Sequence, residues 1–530
     1  MRPQIYALTA AALFTLALGA EAALAQKSGG ILKPYHRGTP PSGSIHEEAT
    51  NSTVSPYMGV FNNLVMYDQH KAQNSLETIV PDLATSWTWS DDFTRLTFKL
   101  RQGVKFHDGK PFSSKDVACT WNLILGKGKG KLRKNPRKSW YKNLDKVSTN
   151  GDYEATFHLK RTQPAFLALL ASGYSPVYPC HVAPKKMRTH PVGTGPFKFV
   201  ELKQNEHVKF TRNPNYWKKG RPYLDGIEWT IIKSRSTRVL AFIAGKFDLT
   251  FNVDVTVPLL KDVKQQAPNA VCELRTTNVS TNLIVNRDKP PFDNAKIRSA
   301  MALALDRKAF IDILSEGNAI QGGAMMSPPA GVWGMPEDVL KTVPGYGDVA
   351  QNREKARALM KELGYGPDNR LKVKVSTRNI AIYRDPAVIL IDHLKEIYID
   401  AELETVETSN WHAKVARKDY MVGLNLTGVG VDDPDANLYE NYSCGSQRNY
   451  TGYCNPELQK LFDKQSMMTD QAARKKLVWQ IDKKLQEDVA RPIIFHGKNA
   501  TCWQPYVKGF TTMMNSVYNG WRMEDVWLDK

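Results

Sequence analysis

The chain has 530 residues, too many for one hydrophobic core to organise, so at least two lobes are expected. Its 42% apolar and 24% charged residues are the balance of a folded protein, and beyond the N-terminal region no apolar run approaches transmembrane length. A formal net charge of +19 speaks to the surface and its attraction for anionic lipid or acidic partners, not to a fold.

The first segment addresses the chain. Arg2 precedes an apolar stretch, Ala7 to Leu18, and Ala23-Leu24-Ala25 is a small-x-small cleavage signal. This order predicts a secretory signal peptide cleaved after Ala25, hence a periplasmic protein. Gln26 would then be the first mature residue, so no lipid-bearing cysteine is expected there. Export sets nucleic acid aside as a partner of the basic surface. Six cysteines fit an oxidising compartment. Cys444 and Cys454 enclose a short polar segment and are expected to pair. Cys119, Cys180, Cys272 and Cys502 leave three pairings open.

Along the mature chain, Leu96, Phe98 and Leu100 alternate with polar residues as a half-buried strand does. Asp108-Gly109 follows as a turn, and Ser113 with Asp116 has the spacing of a capping box that opens a helix through Trp121 and Leu125. Lys127 to Lys134 is a basic, glycine-containing exposed loop. From Phe197 to Ile232 strands follow one another directly, which predicts a mixed sheet. Asp293 is the expected cap of a helix burying Ile297, Ala300, Met301 and Ala304. Another helix buries Ala356, Leu359, Met360 and Leu363 and stops at Gly364. Leu371, Val373 and Val375 form a strand, Asp385-Pro386 opens a helix running to about Tyr398, and Leu403 to Val406 is a strand again. That order is a βαβ unit and requires a parallel pair.

Several of these segments carry a family pattern. Pro81 to Trp87, Gly103 to Phe112, Gly193-Thr194-Gly195-Pro196-Phe197, Arg212 to Trp217, and Pro291 to Asn294 with Ile297-Arg298 resemble, in order, blocks of the peptide/nickel-type (family 5) extracellular solute-binding proteins of bacterial ABC importers. The resemblance implies an α/β, two-lobed periplasmic-binding-protein fold, type II-like (cluster C), with mixed sheets and an extra subdomain inserted in lobe I. It places lobe I at 26–276, with the insertion at roughly 55–190, lobe II at 277–496, and a return to lobe I at 497–530. The crossovers fall near Thr276–Asn278 and Phe495–Asn499. The implied partners are a peptide or small-molecule ligand and an inner-membrane permease. The receptor is expected to be monomeric and to need no cofactor or metal.

The resemblance also points to a binding segment. After the strand Met421 to Leu426 comes Thr427-Gly428-Val429-Gly430-Val431-Asp432-Asp433-Pro434-Asp435. In peptide-binding members an aspartate four residues before this proline pairs with the ligand's α-amino group; here that position is Gly430. Candidate contacts are Thr427, Gly428, Val429, Gly430, Asp432 and Asp433, with Trp333, Trp411, Trp503 and Tyr506 as aromatic candidates for the cleft. Asp432 or Asp433 either replaces the missing acid or only builds the Asp-Pro turn. The alternative is a non-peptide ligand, such as an acidic organic solute, opine, sugar or metal complex. The Gly-Thr-Gly-Pro-Phe run lacks the lysine and spacing of a nucleotide loop and is read as scaffold. For an exported hydrolase, Gly-x-Ser-x-Gly is absent, and His46-Glu47-Glu48-Ala49-Thr50 lacks the second zinc-binding histidine.

Overall fold

The computed structural model of the protein describes residues 26–128 and 130–530; the export segment lies outside them, as does Lys129 of the basic loop. Two α/β lobes are built around separate sheets. In the first, His207–Arg212 lies antiparallel between Phe197–Lys203 and Gly226–Ile231. The short strands Ile31–Leu32 and Tyr35–His36 add to Gly226–Ile231 in parallel, so this sheet is mixed. The C-terminal segment packs on the same core through Val517, Trp521 and Val526. Arg522 anchors it by donating to Asp82 at 2.8 Å, both side chains fully buried.

The same core continues under a four-stranded antiparallel sheet in the order Ala84–Trp89, Arg95–Leu100, Glu154–Leu159, Leu144–Thr149. The alternation in Arg95–Leu100 sends Leu96, Phe98 and Leu100 inward. The helix Ser114–Leu125 packs Trp121 edge-on against Phe157 at 4.9 Å, and the capping box of Ser113 and Asp116 opens it. Gly126 closes that helix at φ 77°, a conformation costly for any residue with a Cβ. The Gly-Thr-Gly-Pro-Phe run is indeed scaffold. A Cβ on Gly193 would sit 2.0 Å from the Val60 carbonyl oxygen, and one on Gly195 2.5 Å from that of Gly59.

The second sheet has the order Ile399–Val406, Leu371–Arg378, Val422–Gly428, Val271–Val285, Ile493–Trp503. Its first two junctions are parallel and the last two antiparallel. The βαβ unit is present, with its helix beginning at Ala381 rather than at Asp385-Pro386. Proline favours a helix's first turn, hence the later start expected from sequence; here Pro386 is buried inside the helix. The strand after it starts at Ile399, four residues earlier than its apolar pattern suggests. Asn294, not Asp293, caps the helix Ala295–Leu303 by accepting from Lys296 N. Gly364 follows the helix Val349–Glu362 at φ 82°.

Three disulfides account for all six cysteines: Cys119–Cys180, Cys272–Cys502 and Cys444–Cys454. The first ties the helix Ser114–Leu125 to the segment before Pro184–Thr189. The second joins directly opposed residues of the two longest strands.

Candidate ligand-binding cleft

Those two strands pair along their length, and both are interrupted at one level. Between Thr276 and Ser280 the register of Val271–Val285 against Ile493–Trp503 slips. Asn278 takes φ 53° there, a left-handed conformation that asparagine tolerates better than most residues. On the N-terminal side of the slip the strand pairs with Lys498–Trp503, whose Ala500 bridges to Val255 of the first lobe. On the other side it pairs with Ile493–His496 and with Val422–Gly428 of the second lobe.

A cavity of about 230 Å³ opens at this interruption. Thr277, Val279 and Gly497 form its floor. Arg37, Asn51 and Arg235 come from the first lobe, and Arg378, Tyr383 and His412 from the second. An adjoining, wider space of about 550 Å³ shares Arg235 and Thr256 and lies between Lys233 and Arg384. Around that mouth Arg235 meets Asp385 at 3.3 Å, Lys233 meets Glu407 at 3.5 Å and Lys261 meets Glu316 at 2.5 Å.

The electrostatics are one-sided: Arg37, Arg235, Arg378 and Lys498 line the cavity against the single carboxylate of Asp385. Arg378 ends the strand Leu371–Arg378 and is 1% exposed. It donates to the Tyr383 hydroxyl at 2.6 Å and to Thr408 Oγ1 at 2.9 Å, both neutral acceptors. Arg37 is 5% exposed and stacks over Phe251 at 4.7 Å. Its Nε and Nη1 have no acceptor among the described residues. Burial draws the Arg37 guanidinium down to about 10, and the nearby Arg378 charge acts in the same direction. His412 is held well below its ordinary value by burial and then by Arg378, so its imidazole is neutral; Nδ1 contacts the Tyr450 hydroxyl and Nε2 has no partner among the described residues.

Most of the segment expected to bind is used as architecture. The Asp433 carboxylate caps Pro434–Asn441 by accepting from Asp435 N, and receives two bonds from Arg474 at 2.7 and 2.8 Å. Asp435 is fully buried among Gln163, Gln465, Ser466 and Arg474. The Asp432 carboxylate accepts from Asn278 and Asn515, and burial raises it to about 6. Thr427 Oγ1 is occupied by Asn282, Asn425 and Arg491.

Gly430 contributes only its carbonyl, which accepts from Ser172, Ser516 and Asn519. A Cβ there would lie 2.7 Å from Trp140 Cη2, so the space an acid would need is filled by an indole. Val429 is 7% exposed and packed in the first-lobe core, away from the cavity wall. Of the segment's candidates, only Gly428 lines the cavity, beneath Tyr518.

The four aromatic candidates do not line this cavity. Trp411 is fully buried and donates to Asn425, Trp333 donates to the Asp432 carbonyl, and Trp503 packs edge-on to Phe510. The Tyr506 hydroxyl donates to Asp248. Each ring has its partners elsewhere in the fold. Sequence reasoning missed Arg37, Arg235, Arg378 and Tyr383. Only Arg378 carried a signal, as a charged residue at the carboxyl end of a parallel strand, where ligands of open α/β sheets gather.

The profile described as bacterial extracellular solute-binding proteins, family 5 Middle, matches residues 78–449. Heme-binding protein A of Haemophilus influenzae is 28% identical over 85% of this chain and 84% of its own length. The oligopeptide-binding protein AppA of Bacillus subtilis is 27% identical over 82% and 80%. The structure of that AppA in complex with a nonapeptide superposes with a TM-score of 0.83 at 24% identity, covering 95% of this chain and all of AppA. AgaA from Agrobacterium tumefaciens R10 in complex with agropinic acid superposes with a TM-score of 0.79 at 24% identity, covering 94% and 99%. The two superposed structures share one two-lobed fold while their bound ligands, a nonapeptide and agropinic acid, differ.

Proposed function

The chain belongs to the bacterial extracellular solute-binding proteins of family 5, and from that membership we propose a periplasmic receptor that captures a peptide-sized organic solute in the cleft and delivers it to an ABC permease. It is a binding protein and not an enzyme. The observation that carries the reading is the cavity at the slipped strand pair, walled by residues of both lobes. A solute there contacts both lobes at once, which is the condition for a ligand to favour the closed form.

Several finer assignments follow from the same reading. Cleavage after Ala25 yields the mature receptor. Residues 26–276 and 497–530 make lobe I and 277–496 lobe II, with the crossovers at Thr276–Asn278 and Phe495–Asn499. The four-stranded sheet between Ala84 and Leu159 is the added subdomain within roughly 55–190. Of the loop first singled out, Gly428 is retained as a contact, and Arg37, Arg235, Arg378 and Tyr383 join it. A ligand at 100 times its Kd stabilises the native state by about 2.7 kcal/mol. The test is to release and identify small molecules from protein purified from its native host, then to add them back and follow Tm and radius of gyration. A rise in Tm with ligand concentration and a smaller radius are expected. Protein that carries nothing and responds to no solute class refutes the assignment.

A further inference from the structure

The buried arginines near the cleft are compensated in two ways. Arg238 lies behind the cavity, fully buried, and is matched by Asp254 through bonds of 2.5 and 2.6 Å. Arg37 and Arg378 line the cavity, one from each lobe, and neither has a carboxylate partner among the described residues. Asp254, whose charge reaches Arg37, already gives both oxygens to Arg238, while Asp385 at the mouth serves Arg235. A guanidinium buried without a counter-charge is among the costliest groups a protein can hold, and two of like sign brought together by closure raise that cost. The arrangement becomes favourable when an anion sits between them, because guanidinium donors match carboxylate oxygens two at a time.

We propose, resting on the receptor reading above, that the cargo is an acidic organic solute without a free α-ammonium group, whose carboxylate is taken by Arg37 of lobe I across from Arg378 of lobe II. Four cations and one engaged carboxylate line the cavity, so a cationic solute finds no counter-charge there. The position from which an acid would greet an ammonium group is Gly430, closed off by Trp140. Arg37, which lines the cavity and has no acid of its own among the described residues, is the guanidinium assigned to the ligand.

The test uses the mature full-length receptor with four probes: glutarate, N-acetyl-alanyl-alanine, alanyl-alanine amide and sucrose. Glutarate or the acetylated dipeptide is expected to raise Tm, while the cationic amide and the neutral sugar at equal concentration do not. Arg37→Gln is expected to keep or raise the Tm of the unliganded protein and to weaken anion binding at least tenfold, with partial recovery in Arg37→Lys. A purely structural Arg37 would instead lower the unliganded Tm and leave affinity within twofold, which overturns the proposal, as does an amide or sugar that binds as well as the anions. If no probe binds, the solute released from native-host protein decides: an acid lacking an ammonium group upholds the proposal, and any other solute overturns it while leaving the receptor. No solute and no binding removes the receptor reading itself.

Discussion

Gly430→Asp puts back the acid that peptide-binding relatives are expected to carry, and the structure predicts that it destabilises the protein without conferring peptide binding. The Cβ would lie 2.7 Å from Trp140 Cη2 and 3.2 Å from Ser172 Oγ, where ordinary contact needs more than 3.4 Å. Trp140 cannot swing away, because it is 1% exposed and its Nε1 donates to the Ala436 carbonyl at 2.9 Å. Overpacking of this kind costs about 1–3 kcal/mol, so Gly430→Ala alone should lose that much. The aspartate adds the burial of a carboxylate with no cation assigned to it, bringing the loss to about 4 kcal/mol or more. Trp140→Ala should cost about 3–5 kcal/mol, yet adding Gly430→Ala to it should cost almost nothing further, a coupling of about 1–3 kcal/mol. Urea denaturation of the four proteins of this cycle measures the coupling, and calorimetry with alanyl-alanine measures the specificity. A Gly430→Asp protein of wild-type stability that gains micromolar affinity for alanyl-alanine would refute the reasoning.

Other expectations concern the frame around the site. His36, His46 and His496 are buried and neutral, held down by burial to about 3, 4 and 4, so the unfolded chain takes up protons near 6.5 while the native state does not. Each then costs about 2 kcal/mol between pH 7 and 5. Asp432 and Asp482, raised to about 6 by burial, bind protons in the native state first and return about 1.3 kcal/mol each; stability measured by urea should fall from pH 7 to 5, because these histidines, joined by the buried His107 and His412, outweigh the two carboxylates. Asp254→Asn strips Arg238 of its counter-charge and should cost about 3–5 kcal/mol, whereas replacing both by apolar residues of similar size should cost much less in the same assay. Removing the disulfide with Cys272→Ser and Cys502→Ser opens a loop spanning 230 residues and should cost up to about 5 kcal/mol, with ligand affinity changed less than twofold because neither cysteine lines the cavity.

How much of this was legible follows from the range of each signal. Local periodicity is a short-range property, and it correctly announced the strand at Leu96, the capping box at Ser113, the C-terminal glycine at Gly364 and the βαβ unit after Leu371. Its errors are equally local: Asn294 outcompeted Asp293 as a cap, and Pro386 was tolerated inside a helix that began a turn earlier. The site is long-range. Arg37 and Arg378 are hundreds of residues apart and acquire meaning only when the lobes meet. In sequence Arg378 continues the alternation of Lys372 and Lys374, which are exposed; in the fold it is buried, donating to Tyr383 and Thr408. The tryptophans misled for a related reason. Composition marks them as ligand platforms, but the N–H groups of Trp333 and Trp411 have internal acceptors, and a large apolar ring with a satisfied N–H belongs in a core.

The weights of the contacts between lobes indicate what decides closure. The mouth pairs Lys233–Glu407 and Lys261–Glu316 join exposed side chains, and such pairs contribute about 0–1 kcal/mol, less in salt. Deeper contacts reach from 137–163 to 430–440, including Arg137 with Glu440 at 3.3 Å and Gln163 with Asp435 at 2.8 Å. Groups that regain water when lobes part yield little net energy when they meet, because desolvation offsets most of the attraction. Opposed to all of these is the approach of Arg37 and Arg378, which closure makes worse. These polar contacts between the lobes are therefore near balance, and the charges inside the cavity bear directly on closure. An anion there gains from both guanidiniums only when the lobes are together, so its binding energy is spent on closure itself. Neutralising Arg37 should then shift the unliganded receptor toward the closed form, visible as a smaller radius of gyration in solution scattering for Arg37→Gln than for the wild type. An unchanged radius would mean that the charge opposition does not hold the lobes apart, and that closure is limited by the backbone at Thr276–Ser280 instead.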